Sequence, residues 1–349
     1  MLTCTIGTQV TTTPAWADEG VVRVECADTN TDDETIQAAI NGSSPGDEIV
    51  IEGRCLINAT VELPGERSYR GTGRTVIKQA DGANLDAMLA SASWTQNTPW
   101  TGTPTKIRDL VLDGNKAANP SGGDALVIRS WHTLVENLDV TRANGNGIKV
   151  TNLSRNGTAL TNTQVNGTIR NVFVEHSGAH GIYIQDTGNA VTDWNLLDSW
   201  ISGSGQNGIR MENAAGWTIE RNHLYGNGRA AISAHRLYAT CVCDNYIEDF
   251  ATNGIEVTVQ GGAASTIALN RVFQFRDRQG GTFIAITQVN YGTGQVVVSA
   301  NTVRGRGSGT GLSYERGANQ LTVTSAANSV TSVGTPRTVG AGVTLDEGI

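Results

Sequence analysis

The second half of the chain repeats one short pattern of apolar and polar positions. A residue that is usually Gly is followed by an apolar, a polar and another apolar residue, as in Gly147-Ile148-Lys149-Val150. This alternation has a period of two, which predicts β-strands rather than helices. The pattern occurs at 147–150, 181–184, 208–211, 231–234, 254–257, 283–286, 311–314 and 342–345. Repeats spaced roughly 23 to 34 residues apart predict the stacked coils of a parallel β-helix.

An asparagine precedes most of these strands. It occurs at Asn137, Asn171, Asn222, Asn245, Asn270, Asn301 and Asn328, and Ser199 takes the slot between Asn171 and Asn222. Inward-facing amides that stack on one another can hydrogen-bond along the axis and satisfy the backbone of a tight bend. We therefore expect an inward ladder formed by Asn222, Asn245, Asn270, Asn301 and Asn328.

The N-terminal part predicts a short helix that caps the first coil. Thr31-Asp32-Asp33-Glu34 has the form of a capping box, and the amphipathic segment 35–40 follows it and ends near Asn41-Gly42. A β-helix exposes an open sheet edge at its first coil, and a helix that lies across this edge protects it.

No change of composition divides the chain, and a solenoid grows without splitting into domains. We expect a leader in residues 1–20 and a single β-helix domain in residues 21–349. Within the leader, Ala15-Trp16-Ala17 resembles the end of a secretory signal, although the basic and apolar regions of such a signal are missing. A truncated export signal and an ordinary disordered leader are the two alternatives.

The composition argues against several classes of protein. Of 349 residues, 42 are Gly, 17% are charged and 5% are aromatic, as expected for short strands and turns rather than long helices. The formal net charge is −8 and no run of Lys and Arg is present, which argues against nucleic acid as a partner. No apolar run approaches the length that spans a membrane, so we expect no membrane partner.

The cysteines point to an oxidising compartment. Cys26 and Cys55 flank the first coil, so we expect a disulfide between them and a secreted, extracellular protein. Cys241 and Cys243 are separated by a single residue, so a bridge between them would be strained. For this second pair we expect two surface-facing thiols.

Several architectural segments occur in an order that one superfamily shares. After the capping helix come Pro45-Gly46-Asp47-Glu48, Leu63-Pro64-Gly65-Glu66, Arg70-Gly71-Thr72-Gly73 and Leu112-Asp113-Gly114-Asn115. From about residue 21 the chain resembles the pectate-lyase-like superfamily of right-handed parallel β-helix proteins. The resemblance implies an all-β right-handed parallel β-helix that acts on carbohydrate. It does not imply one activity, since the superfamily contains lyases, hydrolases, fructotransferases, epimerases and tailspikes. The signature sets of polygalacturonases and alginate epimerases are absent.

Stacked coils place equivalent residues in rows, about 4.8 Å apart from coil to coil. If Ile148 and its equivalents point inward, the residues after them form an outward row: Lys149, Tyr183, Arg210, Ser233 and Glu256. A second outward row is Thr151, Gln185, Glu212, His235 and Thr258, with Asp186, Asn213 and Arg236 at the turn beyond. A solvated sheet face needs only small polar residues, so this concentration of reactive side chains predicts a carbohydrate groove.

A polysaccharide lyase is the function that we favour. A lyase acting on a uronic-acid polymer must neutralise a carboxylate, remove the C5 proton and protonate the leaving oxygen. Arg210, flanked by Tyr183 and with Lys149 and His235 within two coils, offers that set. The expected catalytic residues are Arg210, Tyr183, His235, Lys149, Glu212 and Glu256; the expected substrate-binding residues are Asp186, Gln185, Arg236, Asn213 and Trp131, the last as a turn residue that could stack on a sugar.

Two other functions use the same surface. A glycoside hydrolase or fructotransferase needs a pair of carboxylates, which Asp186, Glu212 and Glu256 could supply. A tailspike-like protein would bind glycan without turnover and would associate with copies of itself. The sequence specifies no cofactor and no certain metal site. If the protein is a lyase, it could use Ca²⁺, which Glu212 or Glu256 would hold.

Overall fold

The computed structural model describes residues 20–73, 75–276 and 281–348. In these residues the chain winds through successive coils, and strands of the coils stack into three parallel sheets around an apolar core. The fold is an all-β right-handed parallel β-helix, as the sequence predicts. Ala15-Trp16-Ala17 lies outside the described residues, so the leader and the single-domain boundary stay predictions.

Each sheet takes one strand from nearly every coil. Sheet I contains β1 Val21–Glu25, β2 Glu48–Glu52, β5 Arg67–Gly71, β8 Thr105–Asp113, β10 Leu134–Thr141, β13 Thr168–Arg170, β17 Asn195–Leu197, β20 Thr218–Glu220, β23 Cys241–Cys243, β25 Asn253–Ala268, β27 Thr282–Ser299, β30 Gln320–Ala326 and β33 Val343–Asp346. Sheet II contains β3 Arg54–Ile57, β6 Val76–Gln79, β14 Phe173–Glu175, β18 Trp200–Ser202, β21 His223–Tyr225, β24 Tyr246–Glu248, β26 Arg271–Phe273, β28 Thr302–Arg304 and β31 Ser329–Thr331. Sheet III contains β4 Val61–Leu63, β7 Ala87–Ser91, β9 Asp124–Ile128, β11 Ile148–Thr151, β15 Ile182–Gln185, β19 Ile209–Met211, β22 Ile232–Leu237, β29 Thr310–Tyr314 and β32 Thr335–Val339.

Four long strands turn a corner between two sheets. β8 and β10 run from sheet I into sheet II, and β25 and β27 run from sheet III into sheet I. The remaining elements are β12 Gln164–Val165, β16 Val191–Thr192 and the helices α1 Asp32–Gly42 and α2 Ala92–Thr95. The described residues contain no helix long and apolar enough to cross a membrane.

The predicted register of sheet III is confirmed. Ile148, Ile182, Ile209, Ile232 and Ile255 stand opposite one another on successive strands and are fully buried. Because side chains alternate along a strand, the residue after each of them faces outward. The row from Lys149 to Glu256 therefore exists as predicted, on the outer face of sheet III.

The last repeat belongs to another sheet. On sheet III, Leu312 pairs with Arg337 of β32, whereas Val343 pairs with Leu321 on sheet I. The prediction that 342–345 continues the sheet III column is therefore wrong. The same short pattern serves both sheets, and only the length of the intervening turn decides which sheet receives it.

The asparagine ladder is present from Asn222 onward. Asn222 Nδ2 donates to Asn245 Oδ1 at 3.1 Å, and Asn245 Nδ2 donates to Asn270 Oδ1 at 3.0 Å. The series continues through Asn301 to Asn328, and each amide also donates to a backbone carbonyl of the preceding coil. Asn222, Asn245, Asn270 and Asn301 are buried, so the predicted inward ladder is confirmed.

Asn137 and Asn171 do not belong to this ladder. Both are exposed and have a left-handed backbone, with φ of 54° and 50°. In the coil of Asn222 the left-handed position is Arg221, one residue earlier. In the earlier coils the ladder position is taken by buried residues such as Leu138. The predicted place of Ser199 in the ladder is confirmed, because the Ser199 N–H donates to Asn222 Oδ1 at 3.1 Å.

The predicted capping helix is α1, but Thr31 does not close a capping box. Its side chain makes no cap hydrogen bond to the helix. Instead Asp32 accepts hydrogen bonds from the N–H groups of Ala27, Thr29 and Leu56, and Asp33 accepts one from Asn58 N–H. The two buried carboxylates thus fix the helix to the first coil and satisfy backbone donors there.

Both cysteine pairs lie at bonding distance. The Cα atoms of Cys26 and Cys55 are 5.0 Å apart and the sulfur atoms are joined, as predicted. Closing a loop of this size contributes roughly 3 kcal/mol to stability. The sulfur atoms of Cys241 and Cys243 are also joined, so the expectation of two surface-facing thiols is wrong. The two side chains project from the same face of β23, which brings them together.

Candidate functional site

An open groove of about 650 Å³ lies on the outer face of sheet III. Strands β15, β19, β22 and β25 supply its floor, since their outward residues stand side by side in register. Its lining is His180, Tyr183, Gln206, Asn207, Arg210, Glu212, Arg229, Ser233, His235, Thr252 and Glu256. Five of the six predicted catalytic residues are in this set, and Lys149 lies beside it.

In the groove, a hydrogen bond between the Tyr183 hydroxyl and the Glu212 carboxylate joins two neighbouring coils. The Tyr183 hydroxyl donates to Glu212 Oε1 at 2.5 Å. Burial raises the pKa of Tyr183, and the hydrogen bond to Glu212 raises it further. The phenol therefore keeps its proton at neutral pH and holds it on the line to the carboxylate.

Arg210 stands in the centre of the groove. Its guanidinium donates to Ser233 Oγ at 2.9 Å and contacts the ring nitrogens of His235, with a distance of 2.8 Å from Nη2 to Nδ1. Burial lowers the pKa of Arg210, but the guanidinium stays positively charged. Among the described residues no carboxylate lies within salt-bridge distance of Arg210 or of its exposed neighbour Arg229, but Glu212 and Glu256 line the same groove and their charges act on Arg210.

His235 is held in its neutral form. Burial lowers its pKa, and the positive charge of Arg210 lowers it further. An arginine can only donate, so a ring nitrogen of His235 must accept the proton of the guanidinium. His235 therefore fixes the orientation of Arg210 from one side, as Ser233 does from the other.

His180 is a groove residue that the sequence reasoning missed. It precedes Gly181, and the equivalent position of the neighbouring coils carries Asn146 and Asn207. His180 N–H donates to Asn146 Oδ1 at 3.1 Å, and His180 Nδ1 accepts from Asn207 N–H at 3.2 Å. The imidazole thus replaces an asparagine acceptor in a second ladder. This column of Asn before Gly is the sequence signal that could have revealed it.

The protonation state of His180 follows from that ladder. Burial, Arg210 and Arg229 lower its pKa to about 4. Because Nδ1 accepts a backbone proton, the single proton of the neutral ring resides on Nε2. The ring centroid lies 5.2 Å from that of Tyr183. His180 therefore presents a neutral N–H donor beside the phenol.

Glu256 and Lys149 lie at the two sides of the groove. Ser233 Oγ donates to Glu256 Oε1 at 3.4 Å, and Asn253 Nδ2 donates to Glu256 Oε2. Lys149 Nζ is 3.7 Å from Asp124 Oδ2 and 6.0 Å from the centroid of the Tyr183 ring. Burial raises the pKa of Asp124, and Lys149 opposes this shift. Lys149 is thus largely engaged by a buried carboxylate that the sequence did not single out.

The predicted substrate-binding residues lie outside this lining. Asp186 is fully buried and accepts hydrogen bonds from the N–H groups of Gly188, Ala190 and Val191, so it stabilises a turn and is no longer a candidate. Gln185 Oε1 accepts from Thr151 Oγ1 at 3.0 Å.

Arg236 and Asn213 meet at the turn beyond the groove. Arg236 donates to Gln260 Oε1 at 2.6 Å and to the carbonyl oxygen of Asn213 at 3.0 Å. Trp131 stacks on His132 at a centroid distance of 5.9 Å, and His132 lines a separate depression on sheet I. Trp131 therefore does not belong to the groove of Arg210.

The described residues contain no group of three or more His, Cys, Asp or Glu side chains placed to hold a metal ion. Glu212 and Glu256 do not form such a group, and each accepts a hydrogen bond from a neighbouring side chain. The calcium ion that the sequence admits therefore stays a prediction, and no chemical step is assigned to a metal.

Comparison with known proteins shows which of them share this fold. A family model described as right handed beta helix region matches residues 156–328. The A-module of the mannuronan C-5 epimerase AlgE4 from Azotobacter vinelandii has a TM-score of 0.67 at 17% identity, over 91% of this chain and 96% of that chain. The Dettilon tailspike protein has a TM-score of 0.67 at 13% identity, over 93% and 68% of the two chains. No curated protein matches by sequence.

A family 28 exopolygalacturonase from Yersinia enterocolitica has a TM-score of 0.62 at 11% identity, over 95% of this chain and 79% of that chain. Identities this low show a shared fold and not a shared activity. The chain therefore has the right-handed parallel β-helix fold that the sequence predicts. The names of two of these neighbours, a mannuronan C-5 epimerase and an exopolygalacturonase, state the activities of those proteins.

Proposed function

We propose that this protein is a polysaccharide lyase that cleaves a uronic-acid-containing glycan in the groove on sheet III. The observation that supports the proposal most is the placement of Arg210 beside the hydrogen-bonded pair of Tyr183 and Glu212, which brings a cation, a phenol and a carboxylate together in one groove. The protein as a whole is acidic, with a net charge of −8, whereas in this groove Arg210 and Arg229 balance Glu212 and Glu256 and so make room for an anionic ligand. A uronate carboxylate fits the planar donors of a guanidinium.

Arg210 supports removal of the C5 proton. Loss of that proton leaves an electron pair that spreads onto the substrate carboxylate, and a guanidinium bound to this group stabilises the extra charge as it forms. His235 and Ser233 hold Arg210 in place from two sides. His180 Nε2–H is a further neutral donor beside the reacting sugar.

Tyr183 and Glu212 supply a proton relay. The Tyr183 oxygen takes the C5 proton while its own proton passes to Glu212, so no charge is left on the phenol. The electron pair from C5 then forms the C4–C5 double bond and the C4–O4 bond breaks. Glu212 returns the proton through Tyr183 to the departing O4. The pair ends in its initial state, as a catalyst requires, and this route needs C5–H and O4 on the same face of the sugar.

Glu212 and Glu256 are the carboxylates of a competing hydrolase or fructotransferase. Glu212 directly follows β19 and Glu256 lies on β25, two coils apart, which at about 4.8 Å per coil places them at the upper limit of the separation used by inverting glycosidases. The lyase is preferred because Glu212 is hydrogen-bonded to Tyr183 and because a pair of carboxylates by itself gives no role to Arg210 at the centre of the groove.

Export belongs to the same proposal. The joined Cys26 and Cys55 and the joined Cys241 and Cys243 are the kind of bond that persists in oxidising compartments. Self-association, which a tailspike-like protein would use, remains a prediction.

Product analysis tests the function. The purified protein is incubated with polymannuronate, polyguluronate, polygalacturonate and glucuronan, and the products are examined by ultraviolet absorbance, reducing-end assay and NMR. A lyase yields new reducing ends together with an unsaturated, absorbing sugar. Reducing ends without absorbance would establish a hydrolase. Deuterium incorporation at C5 without cleavage would establish an epimerase, the activity named for the Azotobacter neighbour. Binding without any product would leave only the glycan-binding alternative.

A further inference from the structure

A column of aromatic side chains runs along the outer surface of sheet II, on a different sheet from the groove of Arg210. Phe173, Trp200, His223 and Tyr246 occupy equivalent positions on β14, β18, β21 and β24. Successive ring centroids are 5.8, 4.0 and 4.6 Å apart. Outward positions of a sheet that faces water are usually polar, so a row of rings at such positions indicates contact with a ligand.

The first two rings expose part of their faces. Phe173 is 37% exposed and Trp200 is 36% exposed. Their planes are 24° from parallel at a centroid distance of 5.8 Å, which is an offset arrangement rather than a full overlap. Before Phe173 the column carries Asp139, which is too small to cover the ring. The exposed end of the column therefore offers aromatic surface to a ligand.

Polar groups face these rings across a shallow groove of about 560 Å³. One wall is formed by Phe173 and Trp200. The opposite wall is the row of left-handed corners, where Asn171 Nδ2 donates to Asn137 Oδ1 and Arg221 donates to Asp198 Oδ1 at 2.7 Å. Apolar ring surface on one side and amides with carboxylates on the other match the C–H faces and the hydroxyl groups of sugars.

We propose that this groove is a second glycan-binding site, which takes a segment of neutral polysaccharide. Its one cation, among the described residues that line it, is Arg221, and that guanidinium is bound by both Asp198 and Glu220. A uronate would meet Asp139 and Asp198 without a free positive charge. The uncharged sugar is therefore favoured here, in contrast to the groove on sheet III. The rungs repeat at about 4.8 Å, close to the length of one sugar residue in an extended chain.

The site does not depend on the proposed lyase activity, and the test keeps them apart. Native electrophoresis is run in gels that contain galactan, xyloglucan, arabinoxylan or mixed-linkage glucan. The proteins compared are the wild type, Arg210→Ala, the double variant Phe173→Ala with Trp200→Ala, and Trp100→Ala. The last is a matched control, since Trp100 is an indole that is 61% exposed in a turn outside this groove.

At least one of the four polymers should retard the wild type, Arg210→Ala and Trp100→Ala equally, and the double variant should bind about tenfold more weakly or not at all. If the double variant fails to fold, Phe173→Thr and Trp200→Thr, which keep a high strand propensity, carry the test. No retardation of the wild type by any polymer, or equal retardation of the double variant, overturns the proposal. Sedimentation that shows a wild-type dimer and a monomeric double variant also overturns it, because the column would then be an interface between copies of the chain.

Discussion

The hydroxyl of Tyr183 donates a hydrogen bond of 2.5 Å to Glu212 Oε1, which lies on the next coil. The two residues are 29 positions apart in the chain, yet the register of β15 with β19 places them in contact. Together they can accept one proton and return it, and this makes the pair the part of the groove most sensitive to conservative substitution.

Tyr183→Phe removes the hydroxyl and keeps the ring. We expect turnover of the uronic-acid polymer to fall by about two to four orders of magnitude, the usual contribution of a positioned acid or base. The initial rate of unsaturated product measures the effect. Tyr291→Phe is the matched control, because Tyr291 is 73% exposed and does not line the groove. Full activity in Tyr183→Phe would remove the relay from the mechanism.

Arg210→Ala should lower turnover by about a hundredfold or more and leave the fold intact. The guanidinium stabilises charge that develops as the C5 proton leaves, so its loss acts on kcat and not only on KM. Single-substrate kinetics on the polymer that is cleaved separates the two parameters. Arg23→Ala, a change at an exposed arginine of β1 paired with Glu52, should be neutral. An unchanged kcat in Arg210→Ala would mean that the groove has been drawn in the wrong place.

The pH dependence of stability should report on His180. In the folded protein its pKa is about 4, against an ordinary value of 6.5, so the unfolded chain binds the proton more readily. The unfolding free energy must therefore fall as the pH drops from 6.5 toward 4, and the contribution is fully present above 6.5.

His180→Asn provides the comparison for that pH effect. Asn occupies the equivalent position of the neighbouring coils, as Asn146 and Asn207 do, so the ladder acceptor is kept while the titrating ring is lost. Denaturant unfolding above pH 6.5 and near pH 4 should show a smaller loss of stability in the variant. An equal loss in both proteins would show that His180 does not titrate in this window.

Asn245→Ala should destabilise the protein by about 2 to 4 kcal/mol. The side chain donates to Ile219 O and Asn270 Oδ1 and accepts from Asn222 N–H, and all of these groups are buried or nearly so. Removing the amide leaves several of them without a partner. Asn58→Ala is the matched control: Asn58 is exposed and its backbone is not left-handed, so we expect a change within about 0.5 kcal/mol. Equal effects in urea unfolding would contradict the ladder as a source of stability.

The strands and the register of sheet III could be predicted from the sequence. Along a strand, apolar and polar residues alternate, and this alternation shows which side chains face the core. It could not separate the two uses of asparagine. Asn tolerates a left-handed corner as readily as it bonds inward, so Asn137 and Asn171 look the same in sequence as Asn222.

The candidate site was predicted in part for similar reasons. Tyr183 and Arg210 follow from the register of the strands, and Glu212 comes directly after β19, whereas His235 lies where the register of β22 with β25 shifts. Asp186 was misplaced because a turn folds back on its carboxylate, and a turn has no period from which its direction could be read. His180 was missed because it takes the place of an asparagine in a structural ladder.

The groove is assembled from single residues contributed by successive coils, and its coils are of equal length between β19, β22 and β25. Ile209, Ile232 and Ile255 follow one another at intervals of 23 residues. Duplication or loss of one such coil would keep the same kinds of core contact between neighbouring coils. It would move one half of the groove relative to the other by about 4.8 Å along the axis. Whole-coil gain or loss is thus a route by which this architecture can be re-spaced for a different sugar without any point mutation in the residues that act on it.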